Sequence, residues 1–406
     1  MPPLGSPPVH PDIVEEHFDE LEWLWEQRDA GIYSADWTLP ILAEHEERAE
    51  AHLDGLRLSE LHGVELARAK ISEADAWAAA AATLVLFEAG APEWRDLILD
   101  SFREGEAETV AGIRATLRHC DIRGFPSALE EILKGPDPHR AASAAHVLAF
   151  SRRPAPGLEP LLDQEDSGSR ILALGAAARL GELYPRSIAG AVESPDPGVR
   201  RAGLEAAAHL GVQGLVRHVR AAAARESDPD PEAVYFLGVL GIPEDLVLLR
   251  SLLHRPGVAA AAVAAMGAMG RVEGIPLLLD LMEDPGLGPA ATAAYKRITG
   301  AGNVEGQMPA PSEVPEGGDE PEDLPPDPRK AGADWERRAG SMGSGVSWQM
   351  GVPIPDDDLF HDHPELTLEA RRDLYLRLRA RLGSAAPDLE LESLAVRQAT
   401  RRPGTT

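Results

Sequence analysis

One cysteine in 406 residues, Cys120, excludes an intrachain disulfide framework and a multi-thiolate metal centre. Lysine is also scarce: Lys70, Lys134, Lys296 and Lys330 are the whole set, so arginine carries nearly all the positive charge. Acidic residues outnumber basic ones 67 to 39, for a formal charge of −28. That excess argues against nonspecific binding to nucleic acid or to anionic membrane, which both recruit clustered cations. Aromatics are 5% of the chain, and no run approaches ~20 uninterrupted apolar residues. The first residues lack a basic stretch followed by an apolar one, so neither a signal peptide nor a membrane span is expected, and the expected compartment is the cytoplasm. HExxH, GxSxG and Walker-type motifs are absent as well.

What the chain does have is a repeat. Ser194–Gly211, SPDPGVRRAGLEAAAHLG, reads as one helix with both ends marked. Asp196 can cap its start, Pro197 sits where a missing N–H costs nothing, and Gly211 can close it. The closing position recurs at Gly181, Gly211, Gly241, Gly270 and Gly300; the same step backwards reaches Ser151, Cys120 and Gly90. A fixed period of about 30 residues means a stacked array of helix pairs. Seven residues before each closing position stand Ala144, Leu174, Leu204, Val234, Val263 and Ala293, all apolar, as a shared core column requires.

The expected organisation follows. Residues 1–9 are Pro/Gly-rich and predicted disordered. Residues 10–72 form a helical N-terminal cap: one helix from Pro11 to about Ala30, with Trp23 off its apolar stripe, and another from about Pro40 that stops at Asp54-Gly55. Residues 73–300 form the array, with seven to eight units. Residues 301–363 break the pattern, with seven prolines between Pro309 and Pro328 and fourteen acidic against four basic residues over 303–363. That composition predicts an irregular segment, disordered or wrapped along the array, and Trp335 and Trp348 favour wrapping. Helices return over 364–400, one across 366–383 with Leu374, Leu378 and Leu382 on one face, and a short one over Leu389–Arg397.

The turn-then-helix unit over 135–300, and less regularly over 73–134, resembles the short HEAT-like repeat of bilin lyases and many bacterial scaffolds. The fold this implies is an all-α, HEAT-like α-solenoid with a helical N-terminal cap and a C-terminal extension. End to end, the chain also resembles a family of proteobacterial HEAT-repeat proteins. The matching segments are LWEQRDAG (24–31), EERAEAHLDGLRL (46–58), YKRITG (295–300), LPPDPRKAGADWERR (324–338) and LAVRQ (394–398). Members of that family are often encoded near type VI secretion genes and have no assigned activity, so the resemblance implies a binding role and supplies no catalytic residues. Where the family's WERR segment has two adjacent tryptophans, this chain has only Trp335.

Several residues have both a functional and a structural reading. Arg140, Arg170 and Arg200 each stand eleven positions before a closing residue, which would stack them in one row. They are either a partner-binding ladder, extended by Arg201, or ties to the turn aspartates Asp137, Asp166 and Asp196; the ties are favoured. Trp23, Trp335 and Trp348 are candidate partner-binding aromatics. His361 and His363, beside Asp356–Asp358, have metal-ligand character but no third histidine, and a solvated loop is favoured. His45-Glu46 is a single pair, where HEAT-like iron hydroxylases use several. Cys120 ends a repeat helix, which favours a buried thiol over a nucleophile. The expectation is a non-enzymatic scaffold or adaptor with a protein partner and no cofactor, an accessory or immunity-type component of a secretion system. The alternatives are a HEAT-like lyase or other small-molecule-binding enzyme, and a binding module masked by its own acidic 303–363 segment.

Overall fold

Aspartate starts the repeat helices. In the computed structural model, which describes residues 10–59, 61–306, 324–355 and 363–382, the carboxylates of Asp75, Asp137, Asp166, Asp196 and Asp230 each accept a backbone N–H from the first turn of the helix that follows. Each satisfies a donor that the helix itself leaves unpaired. The described residues contain nineteen α-helices, three 3-10 turns and one two-stranded hairpin, and the fold is an all-α, solenoid-like helical repeat. The chain divides into two compact units, residues 1–210 and 211–386.

In the first unit, α1 (Pro11–Gly31), α2 (Leu39–Leu58) and α3 (Leu61–Lys70) precede the repeats. α1 buries Val14, Phe18, Leu21, Leu24 and Trp25 against its neighbours α2, α3 and α4. α2 does not stop at Asp54-Gly55. Leu53 and Leu56, on either side of the glycine, are both buried, and their burial outweighs the ~1 kcal/mol that glycine costs a helix. The repeat helices follow: α4 (Ala76–Ala89), α6 (Ala107–Leu117), α8 (Pro138–Phe150), α9 (Ser167–Leu180) and α11 (Pro197–His209). α5 (Pro92–Glu104), α7 (Pro126–Leu133), a 3-10 turn over Glu159–Asp163 and α10 (Pro185–Val192) connect them.

The second unit continues the same plan with α12 (Leu215–Ala223), α13 (Pro231–Leu240), α14 (Leu246–Leu252), α15 (Ala259–Met269), α16 (Ile275–Leu281) and α17 (Gly288–Thr299). The segment expected to be irregular contains α18 (Pro328–Arg338) and an antiparallel hairpin of β1 (Ser347–Gln349) and β2 (Val352–Ile354). α18 packs on α16, and the Tyr295 hydroxyl donates to Asp334 Oδ2 at 2.8 Å, so α18 covers the apolar end of the last repeat. α19 (Leu368–Leu382) then packs on α13. Residues 1–9, His361 and the helix expected over 389–397 lie outside the described residues.

A column of small residues sets how closely the repeat helices approach. Eight positions before the closing residue stand Ala82, Gly112, Ser143, Ala173, Gly203, Ala233 and Ala262, all buried. At Gly112 a Cβ would overlap the Ala76 carbonyl of α4, so backbone meets backbone there. The expected apolar column, one position later, is buried from Ala144 to Val263, but Ala293 is exposed. α17 is rotated by one residue, placing Ala291, Thr292 and Tyr295 inward. The cause is its last turn, where Tyr295 and Arg297 are held by α18, the hairpin and α19. Gly241 also departs from expectation: it closes α13 in the extended region (φ −71°), with Asp245 Oδ2 accepting from the next residue's N–H at 3.0 Å.

Candidate functional site

On α6, α9, α11, α13 and α15 a second, less buried stripe runs nine, six and two residues before the closing position, whereas on α8 the same positions, Ala142, Ala145 and Ala149, are buried. The stripe is Ala111, Arg114 and Arg118 on α6; Leu172, Gly175 and Arg179 on α9; and Ala202, Glu205 and His209 on α11. On α13 it is Glu232, Tyr235 and Val239, and on α15 Ala261, Ala264 and Ala268. Val239 and Ala268 are sealed, at 0% and 1% exposure, whereas Arg118, Arg179 and His209 are half-buried. In the second unit the seal is the C-terminal extension.

The extension grips the helices by their ends. The last carbonyls of a helix have no partner within it. Arg377 of α19 donates to Val239 O at 2.8 Å and Ala268 O at 2.7 Å, placing one cation on the negative ends of α13 and α15. The buried amide of Gln349 donates to Gly267 O and Ala268 O at 3.1 and 3.0 Å. The backbone N–H groups of Trp348, Met350 and Gly351 bind Gly270 O, Arg297 O and Ile298 O. Gly270 is left-handed (φ +71°) and lies so close to the Trp348 carbonyl that a side chain would collide with it.

A buried ion network completes the grip. Arg297 Nη2 donates to Asp373 Oδ2 at 2.7 Å, its Nη1 lies 3.3 Å from Glu369 Oε2, and its Nε donates to Gln349 Oε1 at 3.0 Å. The Tyr235 hydroxyl donates to the same Asp373 oxygen at 2.6 Å. Burial, and then the Asp373 charge, push the Tyr235 hydroxyl pKa far up, so it remains a donor. Two carboxylates one turn apart on a helix are thus held by an arginine and a tyrosine of the repeat face.

In the first unit the stripe brings Arg118 and Arg179 to Phe150, while α11 contributes Glu205. Phe150, the last residue of α8, lies between two guanidinium groups: Arg179 Cζ is 3.4 Å and Arg118 Cζ 5.5 Å from its ring centroid. The His146 and His119 rings lie 4.8 and 6.0 Å from it. His119 Nε2 faces Arg28 Nη1 and Arg118 Nε, both at 3.1 Å, so it accepts and the proton sits on Nδ1. Burial first, and the surrounding arginines second, hold both histidines well below their ordinary pKa and neutral. Arg28 is balanced by buried Glu46 at 2.7 Å, and Arg118 by Asp29. Burial, followed by the Arg118 charge, disfavours the charged form of Arg114, and the Asp29 charge favours it.

The residues singled out from sequence are dispersed. Arg140 Nη2 donates to Gly105 O at 2.8 Å, Arg170 Nε to Leu162 O at 2.9 Å and Arg200 Nη1 to Ser194 O at 2.6 Å. All three bind main-chain carbonyls at turns: Arg140 at the end of α5, Arg170 in the 3-10 turn before α9 and Arg200 in the turn before α11. Arg140 adds an aspartate pair, to Asp137, and Asp137, Asp166 and Asp196 each cap the helix that follows. Arg201 pairs with Glu205 on α11 at 3.2 Å. Trp23 is 47% exposed, with Arg48 Cζ 5.9 Å from its ring centroid. Trp335 is half-buried on α18, and Trp348 is buried with its indole N–H bound to Gly343 O at 2.9 Å. His45 Nε2 donates to Leu24 O at 2.7 Å, which with the Arg28–Glu46 pair makes His45-Glu46 part of the packing of α1 on α2. Burial raises the Cys120 thiol pKa far above its ordinary value. His363 Nδ1 lies 3.5 Å from Glu365, and no group of three His, Cys, Asp or Glu side chains among the described residues has a metal-binding arrangement.

Compared with known proteins, the chain matches no family model and no curated sequence. The Arg114, Arg118, Arg179 and His146 cluster is missing from the residues read out of the sequence. A signal for it exists: aligned on the closing residue, Arg118, Arg179 and His209 share the position two before it, a second basic row beside Arg140, Arg170 and Arg200.

Proposed function

We propose that this chain is a non-enzymatic, cytoplasmic interaction scaffold whose repeat helices present their exposed stripe to a protein partner. The observation that carries this is internal. In the second unit that stripe and the adjoining helix ends already hold a polypeptide, the chain's own extension, through carbonyl-directed donors and paired carboxylates. A repeat face able to bind one segment in cis is suited to bind another in trans. No helix among the described residues is long and apolar enough to cross a membrane. The resemblance to proteobacterial HEAT-repeat proteins makes a type VI secretion component or effector the first partner to test.

The lyase reading draws no support from Cys120, whose thiolate is strongly disfavoured. Masking by the 303–363 segment draws little, because its described residues pack on α15, α16 and α17 of the second unit, whereas the basic cluster is in the first. Affinity capture from the native host, with the full chain as bait and mass spectrometry as readout, tests the scaffold reading. One stoichiometric protein partner supports it. A co-purifying chromophore, metal or nucleic acid in place of a protein overturns it.

A further inference from the structure

We infer that the β1–β2 hairpin and α19 form a releasable cover, and that the face of α13, α15 and α17 beneath it receives a partner helix with two carboxylates and an arginine at four-residue steps. This rests on the scaffold reading and gives the partner its chemistry. What is covered is the repeat face of the second unit, not the basic cluster of the first.

The cover has an apolar cluster of its own. Ile354, Leu366, Leu374 and Leu378 are buried together, with Met350, Val352 and Tyr375 packed against them, and all of these lie between residues 350 and 378. Toward the repeats α19 turns a polar row, Glu369, Asp373 and Arg377, which stand one above the other on one helix face. Glu369 and Asp373 lie 3.3 and 2.7 Å from Arg297 of α17, and Tyr235 of α13 donates to Asp373 at 2.6 Å. Arg377 donates to the end carbonyls Val239 O of α13 and Ala268 O of α15. Polar contact between two parts of one chain is the kind that transient interfaces make, and relative motion is then the default. A buried ion pair adds little net stability, because desolvation offsets its attraction, and its best-attested use is to fix register.

The seated α19 defines the occupant. Release of the cover takes the partners of α19 away from Arg297, Tyr235 and the carbonyls that end α13 and α15, which is costly unless another chain replaces them. A helix with Glu or Asp at i and i+4 and Arg at i+8 replaces each of these contacts, so a partner competes with α19 for the same donors and acceptors. Arginine is required at the third position. The Nε of Arg377 reaches Val239 O at 2.8 Å while its Nη2 reaches Ala268 O at 2.7 Å, a two-point reach that the single ammonium of lysine lacks.

Native-state hydrogen exchange of the wild-type chain is the first test. The hairpin and α19 should open together, with exchange at least about tenfold faster than in α13 and α15. The second is fluorescence anisotropy of a labelled peptide of residues 366–382, titrated with the full chain. The wild-type face is filled, so the Glu369→Ala/Asp373→Ala chain should bind the peptide at least about tenfold more tightly than wild type. Adding Arg297→Met to that chain should abolish the gain, and circular dichroism confirms that each variant is folded. Exchange of α19 only together with α13 and α15, or equal peptide binding by wild type and the double variant, would overturn the inference. A concentration-dependent wild-type dimer that exchanges α19 would give the face to a second copy and overturn it too. Affinity capture separates the two claims. If wild type captures a protein and the double variant captures no more of it, the cover is wrong and the scaffold reading stands; if neither chain captures a protein, the scaffold reading itself has failed.

Discussion

At the scale of one residue, the buried histidines of the first unit make a prediction. His119 and His146 are held neutral in the fold, with pKa values well below the ordinary 6.5, which the unfolded chain regains. Above about pH 6.5 neither state binds the proton. As the pH falls below that, the unfolded chain takes up protons that the folded one refuses, so stability falls by up to about 1.4 kcal/mol per pH unit for each histidine. His146→Phe should give a shallower loss of melting temperature between pH 6.5 and 5; identical slopes would mean that His146 does not titrate differently on folding.

Single elements are held by contacts of two kinds. Between α4 and α6 the contact is backbone on backbone at Gly112, where any side chain meets the Ala76 carbonyl. Gly112→Val should cost about 1–3 kcal/mol by overpacking, read as a lower melting temperature with an unchanged far-ultraviolet spectrum below the transition. α19 is instead held by polar groups. Asp373→Ala leaves Arg297 buried with Glu369 as its remaining carboxylate, a loss of about 3 kcal/mol if the pair behaves as other buried ion pairs do. Hydrogen exchange should then accelerate across α19 and the β1–β2 hairpin while α13 and α15 keep their protection. Equal acceleration of all four would mean that the extension is integral to the repeats. The start and end of each repeat helix were legible in the sequence because Asp-Pro pairs and closing glycines announce them. The route of the extension was not, because Arg377 and Gln349 bind main-chain carbonyls of Gly238, Val239, Gly267 and Ala268, which carry no side-chain signature. The one-residue rotation of α17 was hidden for a related reason: the 30-residue step reaches Gly300 correctly, while tertiary contacts at Tyr295 and Arg297 set which face turns inward.

Across the whole molecule, the repeat period identifies an all-α array from sequence alone, and the comparison of the two units turns that array into a functional statement. The gathering of Arg118, His146 and Arg179 around Phe150 is not visible in composition, because these residues are scattered along a strongly acidic chain. Only the stacking of α6, α8 and α9 brings them together. The claim that this stripe receives a partner is tested most directly by photo-crosslinking in the native host, with p-benzoylphenylalanine in place of Leu172 on the stripe of α9 and, as the control, in place of Ser127 on α7. A discrete protein adduct from the Leu172 position, absent from the Ser127 position, is the predicted result. Adducts from Ser127 alone, or equally from both positions, would contradict it.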